Sequence, residues 1–437
     1  MDFFFISKHC IIYSLMPELI HHGLVLNLHQ PLGNLDYLLQ NKPWEAKEIL
    51  WAMDRIPRML WKYEDVARVH LSLSGTLLET LSDPGFQSRV YGIVKCGDLL
   101  WHLQNTALFE MLGTGYYHPV LPLIPPEDRE EQCKRWFGIG RHIFWRPHFG
   151  GFWPPEMGFC MEMIPMLCRL GYRYVLVDSN YVEPLEPMRW EEIRYRPHYA
   201  RYGEDEIIVV VRDRELSDAQ ESGMDWGWFA MEVNERTRWC DFAPLVTTCT
   251  DGDNGGWFRN TSGKGNFWEY FYRNFLDRVR SGECNIRPAF IGEYLDTYGA
   301  KGQVNVTTGA WNTGWHNGTG FTQWTGSRKQ REALERAGEI SRSYHDLVKR
   351  VSEAAVDTAF NYQLGECYWR LLRAQTSCNF FWGEAWVEKC HLDLNVAEDY
   401  LQEVERKLDA MIGAPVETAA ARSGGDTLKR SGEERDV

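Results

Sequence analysis

The chain alternates between short apolar segments and longer segments with helical spacing of their apolar residues. Seven apolar, β-branched or alternating runs predict β-strands, at residues 24–28, 67–73, 116–121, 149–153, 172–177, 207–211 and 244–248. Helical periodicity lies between most of them, for example at 46–62, 84–112, 127–146 and 157–170. Strands that alternate with helices form parallel sheets through right-handed crossovers. The pattern predicts an α/β fold, for which an incomplete (β/α)7 barrel is at least as suitable as an open doubly wound sheet.

Polar or charged side chains follow the predicted strands. In a parallel barrel the active groups collect just beyond the carboxyl ends of the strands. The side chains at those places are His29, Glu79, His118, Glu156, Asp178, Arg212 and Asp251. We therefore expect a functional site at that end of the barrel. Glu79 falls on the first turn of the following helix, which favours a structural role for it.

The segment 151–159 places one carboxylate, Glu156, among prolines, aromatic residues and glycines. Transfer of an ionised carboxylate into such surroundings is costly, so its pKa should be perturbed. The prolines fix φ and favour an extended conformation in the residue before them, which predicts a stiff loop around Glu156. A carboxylate held in this way suits a nucleophile or an acid, and an exposed glutamate in a proline-rich turn is the alternative.

A second carboxylate, Asp251, begins the glycine-rich segment 251–257. Two carboxylates that face each other across a cleft are the minimum for glycosidic bond cleavage, one as nucleophile or base and the other as proton donor. The segment also begins like a calcium-binding loop, but Gly255 and Ser262 occupy the fifth and twelfth ligand positions, so that interpretation lacks two ligands. Asp253 either orients Asp251 or only forms the turn.

The sequence gives less support to other kinds of catalytic site. A metal-dependent polysaccharide deacetylase would also use an irregular barrel, but it needs a His-x-x-x-His pair, and no two of the 13 histidines are four residues apart. A metal site formed by His and Asp residues from distant loops is still an alternative. The chain has no HExxH, no G-x-S-x-G elbow and no glycine-rich nucleotide-binding motif. We therefore expect neither a metal nor a cofactor.

Composition restricts the class of ligand. The chain contains 19 Trp, 20 Tyr and 21 Phe, and many lie beside Gly, Asn, Asp or Gln, as in residues 311–318. Aromatic faces beside hydrogen-bonding groups suit flat, hydroxylated ligands such as sugars, although an aromatic core would use the same residues. The net charge of −14 argues against nucleic acid or an anionic membrane as the main partner.

The ends of the chain differ from its centre. Residues 1–15 lack a basic start and a cleavage site and are too short to span a bilayer, which predicts a non-native or disordered extension before a barrel domain at 16–325. Helical patterns at 327–355, 356–375 and 394–412 predict a C-terminal helical bundle at 326–412. The tail at 413–437 is predicted to be disordered. Eleven scattered cysteines indicate free thiols in a reducing cytoplasm.

With these residues in view, the sequence resembles glycoside hydrolase family 57, whose members are retaining enzymes acting on α-glucans. The tripeptide His29-Gln30-Pro31 is similar to the first conserved region of that family, residues 151–157 to the third and residues 250–257 to the fourth. Residues 374–383 are similar to the fifth, in which a helix of the C-terminal bundle contributes an aromatic residue to the sugar site. The motifs stand in the family's order, and the resemblance covers residues 16–411.

The resemblance implies that Glu156 is the nucleophile and Asp251 the general acid/base. Residues expected to contact the sugar are His29, His118, Trp153, Asp253, Trp257 and Trp382. Two departures are visible: Asp253 stands where the family usually has Glu, and Gly383 follows Trp382 where the family usually has His. The expected function is a retaining hydrolase or transglycosylase acting on α-glucan oligo- or polysaccharides. An inactive carbohydrate-binding or regulatory protein on the same barrel is the alternative from another class.

Overall fold

The computed structural model describes residues 19–253, 255–259, 265–311 and 320–413. The predicted extension at 1–15, the predicted tail beyond residue 413 and most of the aromatic segment 311–318 lie outside these residues. None of the helices in the described ranges has the length and apolar character needed to cross a membrane. The cysteines in these ranges are free thiols, as the sequence predicts, and most are buried.

A parallel sheet forms the centre of the fold. The strands of the described residues are β1 (Ile20–Leu28), β2 (Val69–Leu73), β3 (Phe109–Leu112), β4 (Gly151–Phe152), β5 (Tyr174–Asp178), β6 (Val182–Pro184), β7 (His198–Tyr202), β8 (Asp205–Arg212), β9 (Leu245–Asp251), β10 (Ile286–Pro288) and β11 (Val304–Val306). Of these, β6 and β11 form a separate antiparallel pair, and β7 pairs antiparallel with β8. Seven of them pair in parallel in the order β3-β2-β1-β9-β8-β5-β4. A parallel bridge between Gly113 and Phe152 joins the two outer strands. The sheet is thus nearly closed into the predicted seven-stranded barrel.

The third barrel strand lies earlier in the chain than its predicted position. The prediction of a strand at 116–121 is wrong, because that segment forms a loop in which His118 has a φ of 57°. A left-handed residue interrupts an extended backbone. The strand is β3, which lies within the helix predicted at 84–112. In place of that one helix the structure has two shorter helices followed by β3. Short apolar runs do not by themselves distinguish a strand from the end of a buried helix.

Alternate side chains of the barrel strands enter two different apolar clusters. Tyr174 and Leu176 of β5 belong to the cluster inside the barrel, whereas Val175 and Val177 belong to the cluster between the barrel and its outer helices. Successive side chains of a strand point to opposite faces, and both faces of a barrel strand are covered. This explains why the strands read as nearly continuous apolar runs in the sequence.

Helices surround the barrel and form the C-terminal region. They are α1 (Asn34–Asn41), α2 (Pro43–Leu60), α3 (Gly75–Ser82), α4 (Pro84–Val90), α5 (Cys96–Leu103), α6 (Pro126–Phe144), α7 (Ile164–Arg169), α8 (Trp190–Tyr195), α9 (Arg214–Glu221), α10 (Trp226–Thr237), α11 (Gly255–Arg259), α12 (Arg273–Ser281), α13 (Ile291–Tyr298), α14 (Thr322–Thr325), α15 (Arg328–Glu353), α16 (Asp357–Ala374), α17 (Cys378–Phe381) and α18 (Glu384–Gly413). Helices α15, α16 and α18 pack on one another as the predicted bundle.

The bundle and the barrel share one apolar core. The cluster inside the barrel, with Tyr174 and Leu176, continues into Leu347 of α15 and Leu371 of α16. The bundle therefore packs against the barrel directly, and it brings the segment after α16 to the carboxyl ends of the strands. A division into domains at residue 325 stays a prediction.

Gly151 meets the ring of Tyr174 so closely that no side chain fits. A Cβ at residue 151 would lie 2.3 Å from the Tyr174 ring, and that ring is held by a 2.7 Å hydrogen bond from its hydroxyl to Glu110. We expect Gly151→Ala to lower the free energy of unfolding by about 1–3 kcal/mol, as overpacked cores do. Urea unfolding measures this. Gly150→Ala is the matched control, because a Cβ there has no neighbour within 4 Å; equal unfolding midpoints for the two variants would contradict the packing argument.

Candidate active site

A cavity of about 840 Å³ lies at the carboxyl ends of the barrel strands. Its wall includes Asn27 and Asp251, which are near the end of β1 and at the end of β9, and Glu156, which follows β4. Cys378 and Trp382 close it from the side of the bundle. The volume is typical of a small-molecule site, and the position is where parallel barrels place their active groups.

Glu156 lies in a tight turn, Pro155–Met157, with a backbone that few non-glycine residues adopt. Its φ of 57° and ψ of 17° are left-handed, and its carbonyl oxygen accepts a 2.9 Å hydrogen bond from the Trp311 backbone. Strained backbone of this kind persists only where surrounding contacts enforce it, and it is common at functional sites. The stiff loop predicted around Glu156 is therefore a strained turn.

The Glu156 carboxylate is held at both oxygens. The Trp311 indole donates to Oε2 at 2.7 Å, and the Ser377 hydroxyl donates to Oε1 at 2.7 Å. Burial raises the pKa of Glu156 above its ordinary value, and these two hydrogen bonds act in the opposite direction. The turn and the two donors fix both the position and the orientation of the carboxylate.

Asp251 has a different electrostatic environment. Asn27 donates a 2.8 Å hydrogen bond to its Oδ1. Burial, together with the charges of Asp253 and Glu156, holds the pKa of Asp251 well above its ordinary value. Neighbouring carboxylates favour the protonated form of one member of a group. The cavity therefore contains one carboxylate oriented by two donors and another that is disposed to carry a proton.

Asp253 follows Asp251 by two residues and is buried. Gln30 donates to its Oδ2 at 3.0 Å, and its backbone carbonyl accepts a 2.6 Å hydrogen bond from Arg259. Burial raises the pKa of Asp253 to about 6. Asp253 and Gln30 both line the cavity, so the predicted contact with a ligand is geometrically available.

The raised pKa of Asp253 makes stability depend on pH. The folded protein holds this proton more tightly than the unfolded chain does, so the stability contribution is complete below 3.8 and is lost as the pH rises to about 6. The difference between these two values corresponds to about 3 kcal/mol. We expect Asp253→Asn to be more stable than the parent by up to that amount at pH 7 and by little at pH 4, measured by urea unfolding. Asp98→Asn, on the surface of α5, is the control; a gain of equal size at both pH values would contradict this account.

The two predicted histidines stack on each other in the wall of the cavity. The rings of His29 and His118 lie 4.0 Å apart and nearly parallel. Burial lowers the pKa of His118 to about 3, and burial together with His118 holds the pKa of His29 well below its ordinary value. His118 Nδ1 lies 3.3 Å from the Ser377 hydroxyl, and His29 Nε2 lies 3.4 Å from the Cys378 sulfur.

The three predicted tryptophans are placed differently. Trp382 lines the cavity and is 42% exposed, so part of its ring is open to a ligand. Trp153 is fully buried and packs edge-on against Trp311, with ring centroids 5.3 Å apart, so it has no face free for stacking. Trp257 packs against the outer apolar cluster and is not part of the cavity wall.

Several residues of the site were not singled out from the sequence. Ser377 lies in the segment that resembles the fifth family region, and only its position against Glu156 reveals its contact. Asn27 lies within a predicted strand, where alternation places it inside the barrel. Glu221, at the end of α9, and Trp386, at the start of α18, also line the cavity, and neither belongs to a recognisable motif.

The family model described as "Glycosyl hydrolase family 57" matches residues 21–306. The chain therefore belongs to glycosyl hydrolase family 57. It is 27% identical over 307 residues to an α-amylase of Pyrococcus furiosus, covering 66% of this chain and 41% of that protein. It is 25% identical over 308 residues to a 4-α-glucanotransferase of Thermococcus kodakarensis, covering 66% of this chain and 40% of that protein. The chain thus spans less than half the length of these curated relatives.

Solved structures share the fold at low sequence identity. A branching enzyme of the same family from Thermococcus kodakaraensis superposes with a TM-score of 0.70 at 13% identity, covering 91% of this chain and 92% of that one. A 4-α-glucanotransferase from Thermococcus litoralis superposes with a TM-score of 0.60 at 19% identity, covering 88% of this chain and 60% of that one. The incomplete barrel followed by a helical region is the architecture that these proteins have in common.

Metal-dependent deacetylation was one of the alternatives for a site on this barrel. Among the residues that the structure describes, no group of three or more His, Cys, Asp or Glu side chains is arranged to hold a metal ion. In that part of the chain, the deacetylase alternative has no ligand set.

Proposed function

We propose that the protein is a retaining glycoside hydrolase or transglycosylase that acts on α-glucans. The observation that carries the proposal is the pair of dissimilar carboxylates in one cavity, Glu156 held by two donors and Asp251 disposed to keep its proton. Retaining glycosidases need this division between a nucleophile and an acid. Membership of a family with amylase and glucanotransferase relatives supports the substrate class.

In the first step, the ionised carboxylate of Glu156 attacks the anomeric carbon of the sugar. Asp251 gives its proton to the glycosidic oxygen as the bond to the leaving sugar breaks. The product is a glycosyl ester of Glu156, and Asp251 is left as a carboxylate. Glu156 must therefore be deprotonated and Asp251 protonated in the active form, which is the order that their surroundings favour.

In the second step, Asp251 takes a proton from water or from a sugar hydroxyl, and the resulting oxygen nucleophile attacks the same anomeric carbon. The ester bond breaks, Glu156 recovers its charge and Asp251 recovers its proton. Two inversions give overall retention of configuration. Hydrolysis and transfer differ only in which acceptor reaches the glycosyl ester first.

Three polar residues of the cavity wall each have one side-chain atom without a hydrogen-bond partner in the described part of the chain. Asn27 Oδ1, His29 Nδ1 and His118 Nε2 are buried and have no hydrogen-bond partner among the described residues. Buried polar groups are normally paired, so these three side chains have hydrogen-bonding capacity left for a ligand hydroxyl. Trp382 presents its exposed ring at the edge of the same cavity. These contacts support His29, His118 and Trp382 as substrate-binding residues.

An inactive carbohydrate-binding protein is the second candidate, because Asp253 and Gly383 depart from the family pattern. A carboxylate is still present at residue 253 and is held by Gln30, so the shorter side chain is accommodated within the same cluster. A measurement of turnover distinguishes an enzyme from a protein that only binds the carbohydrate.

The experiment is an incubation with a panel of malto-oligosaccharides and α-glucans, in which the anomeric configuration of the first product is followed by ¹H NMR. We expect new reducing ends or redistributed chain lengths, with the α-configuration formed first. Binding without any product would favour the inactive candidate, and release of acetate from acetylated substrates would favour a deacetylase. A first product in the β-configuration would contradict the double displacement.

A further inference from the structure

A buried carboxylate outside the cavity connects the bundle to the proposed nucleophile. Asp128, in the first turn of α6, is fully buried. Tyr368 and His345 of the bundle lie 3.0 Å and 3.2 Å from its Oδ1, and Gln375 donates to its Oδ2 at 2.6 Å. No Lys or Arg among the described residues forms an ion pair with it. Burial of a carboxyl group costs stability unless its oxygens are hydrogen-bonded, and all three of these partners come from the bundle or the segment that follows α16.

Gln375 is held at both ends of its amide by α6. Its Nε2 donates to Asp128, and its Oε1 lies 3.4 Å from the Nε2 of Gln132, one helical turn further along. Gln132 Nε2 also donates to the carbonyl of Leu372 at 3.0 Å. The last turn of α16 is thereby fixed to α6. Ser377 follows two residues after Gln375.

The same face of α6 also holds the segment that contains His118, which lies beside Ser377 and Glu156. Gln132 Oε1 accepts a 2.9 Å hydrogen bond from the backbone of Tyr117, beside His118. The Ser377 backbone donates to the carbonyl of His118 at 3.0 Å, and the Ser377 hydroxyl donates to Glu156 at 2.7 Å. Asp128 and Glu156 are therefore connected by the hydrogen bonds of Gln375 and Ser377 and by the two-residue step of the chain between them.

We infer that Asp128 is a positioning residue for the reaction. By anchoring Gln375 it places the Ser377 hydroxyl on Glu156, so that packing of the bundle on α6 supplies one of the two donors that orient the nucleophile. This inference rests on the proposed function of Glu156. Asp128 itself does not touch the cavity. It acts through the Gln375–Ser377 turn, and its loss should resemble the loss of the Ser377 hydroxyl.

The test begins with Asp128→Asn, which keeps the shape of the side chain but leaves one acceptor oxygen in place of two for Gln375, Tyr368 and His345, so that the anchor on Gln375 is weakened. We expect kcat on malto-oligosaccharides to fall about 10- to 100-fold with little change in KM, because a small misplacement of a reacting group has effects of this size. The acid limb of the kcat/KM profile should move to higher pH, since loss of the Ser377 donor raises the pKa of Glu156. Ser377→Ala should show the same shift.

Two combined variants separate positioning from general destabilisation. In the Ser377→Ala background, Asp128→Asn should have no further effect on kcat, because the connection is already broken. The pair Asp128→Asn with Gln375→Glu exchanges donor and acceptor and should restore kcat and the acid limb. Tyr368→Phe removes one hydrogen bond to Asp128 and should shift the acid limb of the kcat/KM profile by a smaller amount. This variant replaces Asp128→Asn in the test if Asp128→Asn does not fold.

The matched control is Asp393→Asn, because Asp393 holds the other side of α16 through Arg370 and Arg373. Its acid limb should stay at the parent pH. An equal shift in this control, full additivity with Ser377→Ala, or no rescue by the exchanged pair would overturn the inference.

One measurement does not depend on turnover. The ¹⁵N indole resonance of Trp311, assigned by its loss in Trp311→Phe, reports ionisation of Glu156, because the indole donates to that carboxylate. We expect its titration midpoint to rise in Asp128→Asn and in Ser377→Ala. If the parent protein cleaves no glucan, the proposed function fails, and this titration still decides the positioning: an unchanged midpoint in Asp128→Asn would overturn it.

Discussion

Glu156→Gln should abolish turnover of α-glucans while leaving the fold intact. An amide is not a nucleophile toward the anomeric carbon, and loss of a residue that forms the covalent intermediate costs at least about 10⁴-fold in kcat. The amide is nearly the size of the carboxylate, and the Ser377 hydroxyl can accept from its NH₂ while Trp311 keeps its acceptor. Initial rates on maltoheptaose and urea unfolding of the same sample measure the two properties.

Glu162→Gln is the matched control for this result. Glu162 is exposed, lies six residues further along the chain and is not part of the cavity wall. Its turnover should equal that of the parent. Residual activity of Glu156→Gln above about one per cent of the parent, in protein that unfolds at the parent's urea concentration, would remove Glu156 from the role of nucleophile.

Asp251→Ala should lower turnover of unactivated glucans by about 10²- to 10⁴-fold, the usual contribution of a general acid/base. The formation of the glycosyl ester should suffer much less with an α-glycosyl fluoride, because fluoride leaves without needing a proton. Added azide should then attack the ester and yield an α-glycosyl azide, since it needs no general base. Thin-layer chromatography and NMR of the products measure both effects.

The pH profile gives an independent check on Asp251. Burial and neighbouring carboxylates hold its pKa well above the ordinary value, and the proton is needed in the first step. Activity of the parent should therefore fall as the pH rises through the pKa of Asp251, and this basic limb should be missing from Asp251→Ala with the fluoride substrate. Equal losses on fluoride and on glucan substrates, with no azide product, would contradict the acid/base assignment.

The barrel and its functional end were predictable because both leave local marks in the sequence. A strand covered on both faces reads as an apolar run, and the polar residue after it marks its carboxyl end, as with Glu156 and Asp251. β3 was not predicted, because its four residues continue the apolar spacing of the predicted helix before it. A strand was predicted around His118 instead, because the tyrosines and the valine there have the spacing and residue types of a strand. Length is too weak a criterion for such short runs.

Contacts between distant segments could not be predicted. Ser377 reaches Glu156 across 221 residues, and Trp311 reaches it across 155, because the bundle and a loop fold back over the barrel. Trp153 and Trp382 both stand beside glycine or proline in the sequence, yet one is buried in the core and the other faces the cavity. Residue type predicts that an aromatic ring packs, but only the fold decides whether it packs on protein or on ligand.

The most direct test of the two-carboxylate account is to trap the covalent intermediate. Asp251→Ala would be incubated with an α-maltosyl fluoride, quenched in acid, digested and sequenced by mass spectrometry. The account predicts one modified peptide, heavier by a maltosyl group, with the ester on Glu156 and no label in the corresponding Glu156→Gln double variant. A label on any other carboxylate, or complete substrate consumption with a β-configured product and no labelled peptide, would contradict it.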